Sequence, residues 1–151
     1  MDERPYPDGI DCCWLASDRI GQLGVFMTGG SGPIPAQALL PAYPLDDIEQ
    51  AIFELPKASD IDLRVRLPQP NRFVALAERG FFVYDWSDVH RTEQYIQEYE
   101  LMALPYRPLT LDLLPDSLSE TARAVRFTAV SFASAWRIDA RAHMTCREVL
   151  S

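Results

Sequence analysis

Two stretches near the start of the chain, Ile10 to Asp18 (IDCCWLASD) and Gln22 to Thr28 (QLGVFMT), set β-forming residues along a mostly apolar face. The polar turn Asp18-Arg19-Ile20-Gly21 lies between them, and together they predict a hairpin that opens the fold. GGSGPIP follows; its turn-formers and two prolines, which lack amide donors, predict a rigid loop rather than a strand. After Pro44, Ile48, Ala51, Ile52 and Leu55 recur at i, i+3, i+4 and i+7, the spacing of one helical stripe, over residues 45–55. Asp46, Asp47 and Glu49 fall in the first turn, where the positive end of the helix dipole favours them, and Pro56 ends the helix.

Ile61 to Leu67 (IDLRVRL) alternates with period two and predicts an exposed strand, shortened by Pro68 and Pro70. Asn71 is placed to cap a short helix through Ala77, with Arg79 near its negative end and Gly80 as a left-handed terminator. FFVYDW at 81–86 reads as a strand. Residues 94–104 (QYIQEYELMAL) put Tyr95, Tyr99 and Leu101 on one parity, which favours a strand, although QEYELMAL also carries good helix formers. Ser117 with Glu120 has the spacing of a capping box for a helix to Ala124, and Val125 to Phe132 (VRFTAVSF) reads as the last strand. This order predicts one α+β domain over 1–151, a mainly antiparallel sheet with two to three short helices packed against it. Residues 1–9 and 140–151 are expected to be less ordered tails.

Charge narrows the partners. Lys and Arg number 14 against 22 Asp and Glu, a formal net charge of −8, which disfavours direct binding to nucleic acid or an anionic membrane. The imbalance is uneven: residues 121–151 hold five Arg against two acidic residues, leaving nine basic and twenty acidic residues in 1–120. No apolar run is long enough to span a bilayer, and MDERPYPDG lacks the basic and apolar regions of a signal peptide, so a cytoplasmic protein is expected. Three cysteines, Cys12, Cys13 and Cys146, cannot all pair within one chain and fit a reducing compartment.

Candidate chemistry is sparse. Ser31 in TGGSGP has no Gly-Lys-Ser/Thr after it, and Pro33 stands where a nucleophile elbow needs glycine. General-base catalysis has only His90 and His143 to draw on, with Asp85 and Asp88 near the first. His143 and Cys146 have a metal-ligand spacing without a second paired half, because adjacent strand residues such as Cys12 and Cys13 point to opposite faces. One of those two thiols is therefore expected in the core and the other on the far side. No catalytic residue, cofactor or metal is expected.

The 45–55 helix carries the better signal. With its apolar stripe inward, Asp46, Asp47, Glu49, Gln50 and Glu54 face outward with Phe53 among them. An aromatic ring among carboxylates suits a basic protein partner, the ring as desolvated anchor and the charges as steering groups. The alternative is that Phe53 packs under residues 56–70 and the carboxylates only solvate the face. Tyr84 and Trp86 are either further anchors or core.

Three phrases, DCCWLASDRIGQLGVFMTGGSGPIP, LAERGFFVYDW and YELMALPYRPLTLDLLP, together resemble small bacterial immunity proteins found beside polymorphic and contact-dependent toxins. The hairpin and its Gly-Pro loop are also similar to the SUKH immunity superfamily. The resemblance implies a cytoplasmic antidote that binds one cognate toxin and blocks its active site or substrate path; it carries over no functional residue. The acidic charge suits a basic nuclease effector as that toxin. Two other classes stay open: a small hydrolase or transferase using Ser31, His90 or Asp85, and an adaptor or chaperone for a secreted effector.

Overall fold

The structure, a computed structural model, describes residues 11–40, 43–64, 70–86, 97–144 and 146–147. Cys13–Ser17 (β1) and Leu23–Met27 (β2) form the expected hairpin, in antiparallel register from Cys13↔Met27 to Ser17↔Leu23. Asp18 builds the turn. Its Oδ1 accepts from the N–H of Ile20 at 3.0 Å and of Gln22 at 2.9 Å, and Gly21 takes the left-handed conformation at φ +84° that a side chain resists. Its Oδ2 accepts from the N–H of Phe132 at 2.9 Å, so one fully buried carboxylate ties the hairpin to a distant segment.

Ile34–Pro35 (β3) is followed by a short 3-10 turn at Ala36–Leu39 and by the helix Leu45–Phe53 (α1). Ile61–Leu63 (β4), the helix Asn71–Glu78 (α2), Phe82–Trp86 (β5) and Tyr99–Pro105 (β6) come next. The last described elements are the helix Asp116–Ala124 (α3), Arg137–Ile138 (β7), the single helical turn Ala140–His143 (α4) and Cys146–Arg147 (β8). This is a single α+β domain. Its main sheet runs in the order β1-β2-β5-β6-β4, and β7 joins the outer edge of β6 beside β4. Every pairing in it is antiparallel except β2 with β5, which α1 and α2 connect.

Both faces of the sheet are covered. Trp14, Phe26 and Tyr84 stand side by side in register on three strands, and their rings stack in series at 4.2 and 4.7 Å. Tyr99, Phe127 and Phe132 close over them edge-on or tilted. On the other parity α1 packs on β1, and α2 packs on β5 and β6. Cys12 and Cys13 are consequently both buried, which corrects the expectation that only one of them would lie in the core. Burial pushes both thiols above their ordinary pKa, in Cys12 despite its contact with the Thr28 hydroxyl.

The Gly-Pro loop has its own packing reason. Trp14 Nε1–H donates to the Tyr99 hydroxyl at 3.2 Å, and that hydroxyl donates to the Pro33 carbonyl at 2.9 Å. A Cβ on Gly32 would stand 2.4 Å from the Tyr99 oxygen, so only glycine admits this approach. The loop is not entirely without strand, because β3 pairs with β8 antiparallel over two residues. Residues 140–147, expected as tail, thus include α4, capped by the Asp139 carboxylate on the Arg141 N–H, and β8.

Other expectations shift by recognisable causes. Val125 to Phe132 forms no strand: Arg126 makes one bridge to Ser17, and the chain then turns into a short 3-10 helix at Phe132–Ser134. Its alternating apolar residues are buried over the aromatic stack, and Asp18 takes the Phe132 N–H that a ladder would use. The capping box is not made, since Pro115 occupies the N-cap and Ser117 lies inside α3. Likewise Pro70, not Asn71, precedes α2, while Gly80 terminates it at φ +99° as expected. Residues 65–67 of the expected strand, 94–96, Asp88, His90 and the 1–9 tail lie outside the described residues. Among those described, no helix is long and apolar enough to cross a membrane.

Candidate functional site

Buried Leu45, Ile48 and Ile52 fix the inner side of α1, so its outer side has a set orientation. Asp46, Asp47, Gln50 and Glu54 are exposed and, at helical spacing, form one stripe. Glu49 and Phe53 lie on its flank, against α2. There Arg72 Nε–H donates to Glu49, and Arg72 also pairs with Asp11 at 3.3 Å. Burial alone would loosen the guanidinium's proton, but these two carboxylates outweigh it and raise the Arg72 pKa. One further pair of turns along α2, Arg79 donates to the carbonyls of Ala75, Leu55 and Phe53 and sets its guanidinium 5.6 Å from the Phe53 ring centre.

Phe53 is thus half-buried between the core and Arg79 rather than ringed by carboxylates, and Glu49 is already partnered. The open carboxylates of the five sequence candidates are Asp46, Asp47 and Glu54. Phe53→Ala is expected to lower the unfolding free energy by about 1–2 kcal/mol, against about 3–5 for a fully buried ring. Denaturant unfolding checks this, and a change below about 0.5 kcal/mol would return the ring to the solvated surface.

The other candidates scatter. Ser31 is an exposed turn residue whose N–H, like that of Gly32, donates to the Thr28 carbonyl. His143 is exposed and stands edge-on to Phe127 at 5.4 Å, while Cys146 lies in β8. Among the described residues, no three His, Cys, Asp or Glu side chains gather as metal ligands would. Asp85 is buried on β5. Tyr84 and Trp86 are core: the Tyr84 hydroxyl donates to the Ala135 carbonyl at 2.6 Å, and burial, with Asp18 nearby, raises its pKa.

Sequence reasoning passed over Trp136, which is 63% exposed. Its signal in the sequence is the AWRID segment, where an aromatic residue sits among charges beyond the expected last strand. Trp136 lies where β4 and β7 meet along β6: the Leu101 N–H donates to its carbonyl, and the Arg64 N–H donates to Met102, both at 2.8 Å. The Arg64 guanidinium covers its ring at 4.1 Å, and Arg137 approaches Glu100 at 3.9 Å. Together with Leu101 these side chains line a cavity of about 170 Å³. That volume is below the about 300–1,000 Å³ usual for small-molecule sites.

No protein-family model matches the chain, and neither a curated protein nor a solved structure matches it.

Proposed function

We propose that this protein is a non-catalytic antidote that binds a basic protein toxin through the outer face of α1 and covers its active site or substrate path. The observation that carries the reading is the stripe of Asp46, Asp47 and Glu54, held open on a helix whose other sides are fixed by the core, Arg72 and Arg79. A carboxylate row on a rigid support gives a directed field, and the chain's net charge of −8 extends it. Such a field accelerates encounter with a cationic surface and fixes orientation, while exposed charge pairs each add only about 0.2–1 kcal/mol. The sequence resemblance supplies the toxin as the kind of partner. A nuclease that handles a polyanion presents the complementary surface.

The triple variant Asp46→Asn, Asp47→Asn, Glu54→Gln tests the face. Association with the toxin is expected to slow by about tenfold at low salt and to lose most of its salt dependence, with the circular dichroism spectrum unchanged. An association rate and salt slope equal to those of the parent chain would remove α1 as the docking face.

A further inference from the structure

β4 is the last strand in the spatial order of the main sheet, with β6 on one side and no strand beyond it among the described residues. Its register fixes which backbone groups are used. The Tyr106 N–H donates to Asp60 at 2.9 Å and the Arg64 N–H to Met102 at 2.8 Å, so Asp60, Asp62 and Arg64 turn their polar backbone toward β6. The N–H and C=O of Ile61 and Leu63 point outward, and no hydrogen bond to them occurs among the described residues. This is an unpaired sheet edge, the kind of surface on which a further strand adds.

The side chains say which strand fits. Ile61 and Leu63 pack inward against the core, while Asp62 and Arg64 share the other face, 3.4 Å apart. Asp62-Leu63-Arg64 is its own complement in antiparallel pairing about Leu63. Paired so, Leu63 of each copy would exchange both outward backbone bonds with Leu63 of the other, and Asp62 of each would stand directly opposite the other's Arg64. Opposite charges so placed stabilise a pair, and like charges oppose it. An edge this short and charged resists indiscriminate pairing, and its own inverse is the sequence that satisfies it. Arg64 is also held in advance by the Trp136 ring, so less side-chain freedom is lost on pairing.

We propose that a second copy of this chain docks on β4 and forms a two-fold dimer with continuous pairing across Leu63. The dimer is independent of the proposed function, since α1 packs on β1, at the opposite end of the strand order from β4.

Native mass spectrometry and sedimentation of the full chain test the proposal. The parent is expected at twice the 17.1 kDa chain mass. Arg64→Asp sets carboxylate against carboxylate, Asp62→Arg sets guanidinium against guanidinium, and each is expected to weaken dimerisation at least tenfold. Asp62→Arg keeps both partners of the Arg64–Trp136 contact, and circular dichroism follows both variants for misfolding. Mixing the two single variants is expected to give a heterodimer, because every facing pair is then of opposite sign. Combining both changes in one chain restores the homodimer by the same logic. A parent chain monomeric at all concentrations would overturn the proposal, as would a dimer that survives both single substitutions.

Discussion

Asp18→Ala is expected to destabilise the protein by about 3 kcal/mol or more, because hydrogen bonds to a charged group are worth about 1.5–3 kcal/mol each and three backbone N–H groups lose theirs together. The bonds to Ile20 and Gln22 are partly solvated, so water recovers some of that loss. The Phe132 N–H is buried, and truncation leaves it without an acceptor. The effect also spreads, since the same carboxylate shapes the β1–β2 turn and pins the segment that carries Phe127 and Phe132 over the sheet. Asp18→Asn keeps one carbonyl oxygen for the turn but sets its amide donor against the Phe132 N–H, and an intermediate loss is expected. Urea unfolding of both variants measures this. A loss below about 1 kcal/mol for Asp18→Ala would mean the carboxylate is not the turn's anchor, given total stabilities of about 5–15 kcal/mol.

Phe26→Ala is expected to cost about 3–5 kcal/mol, the range for deleting a fully buried aromatic ring. Phe26 stands between Trp14 and Tyr84 in the stack and meets Tyr99, Phe127 and Phe132 at 5.2 to 5.9 Å, so every side of its ring has a partner. The neighbours cannot collapse into the space. Trp14 and Tyr99 are tied to each other and to Pro33, and Tyr84 is tied to Ala135. Phe26→Leu restores part of the volume without the ring stacking, and a loss of about 1–2 kcal/mol is expected. Near-ultraviolet circular dichroism reports the order of the same rings, so for Phe26→Ala its signal should fall before the far-ultraviolet signal does. Equal retention of both, with stability within about 1 kcal/mol of the parent, would show that the ring row is not the centre of the core.

Elements set by local chemistry were legible in the sequence. The β1–β2 hairpin, α1, α2 with Gly80, and the strand through FFVYDW each follow from short-range periodicity and a turn or terminator nearby. Elements set by a distant partner were not. β3, β7 and β8 are two residues long and exist because the fold brings their partners alongside. The alternation in VRFTAVSF marks a segment laid over the aromatic core, a burial pattern that a strand shares. The candidate site divides in the same way. The outward stripe of α1 could be read from its own helical wheel, but the placement of Phe53 and Glu49 depends on Arg79 and Arg72, which a wheel of α1 does not contain. Trp136 gains its meaning only from β4 and β6 beside it.

The most direct test of the antidote is co-expression with the product of the adjacent gene, scoring both survival and co-purification. The expected result is that the neighbour alone is toxic, that this chain restores growth, and that the two purify as a stable complex which the α1 triple variant weakens. A neighbour without toxicity, or growth restored without a complex, would contradict neutralisation by binding.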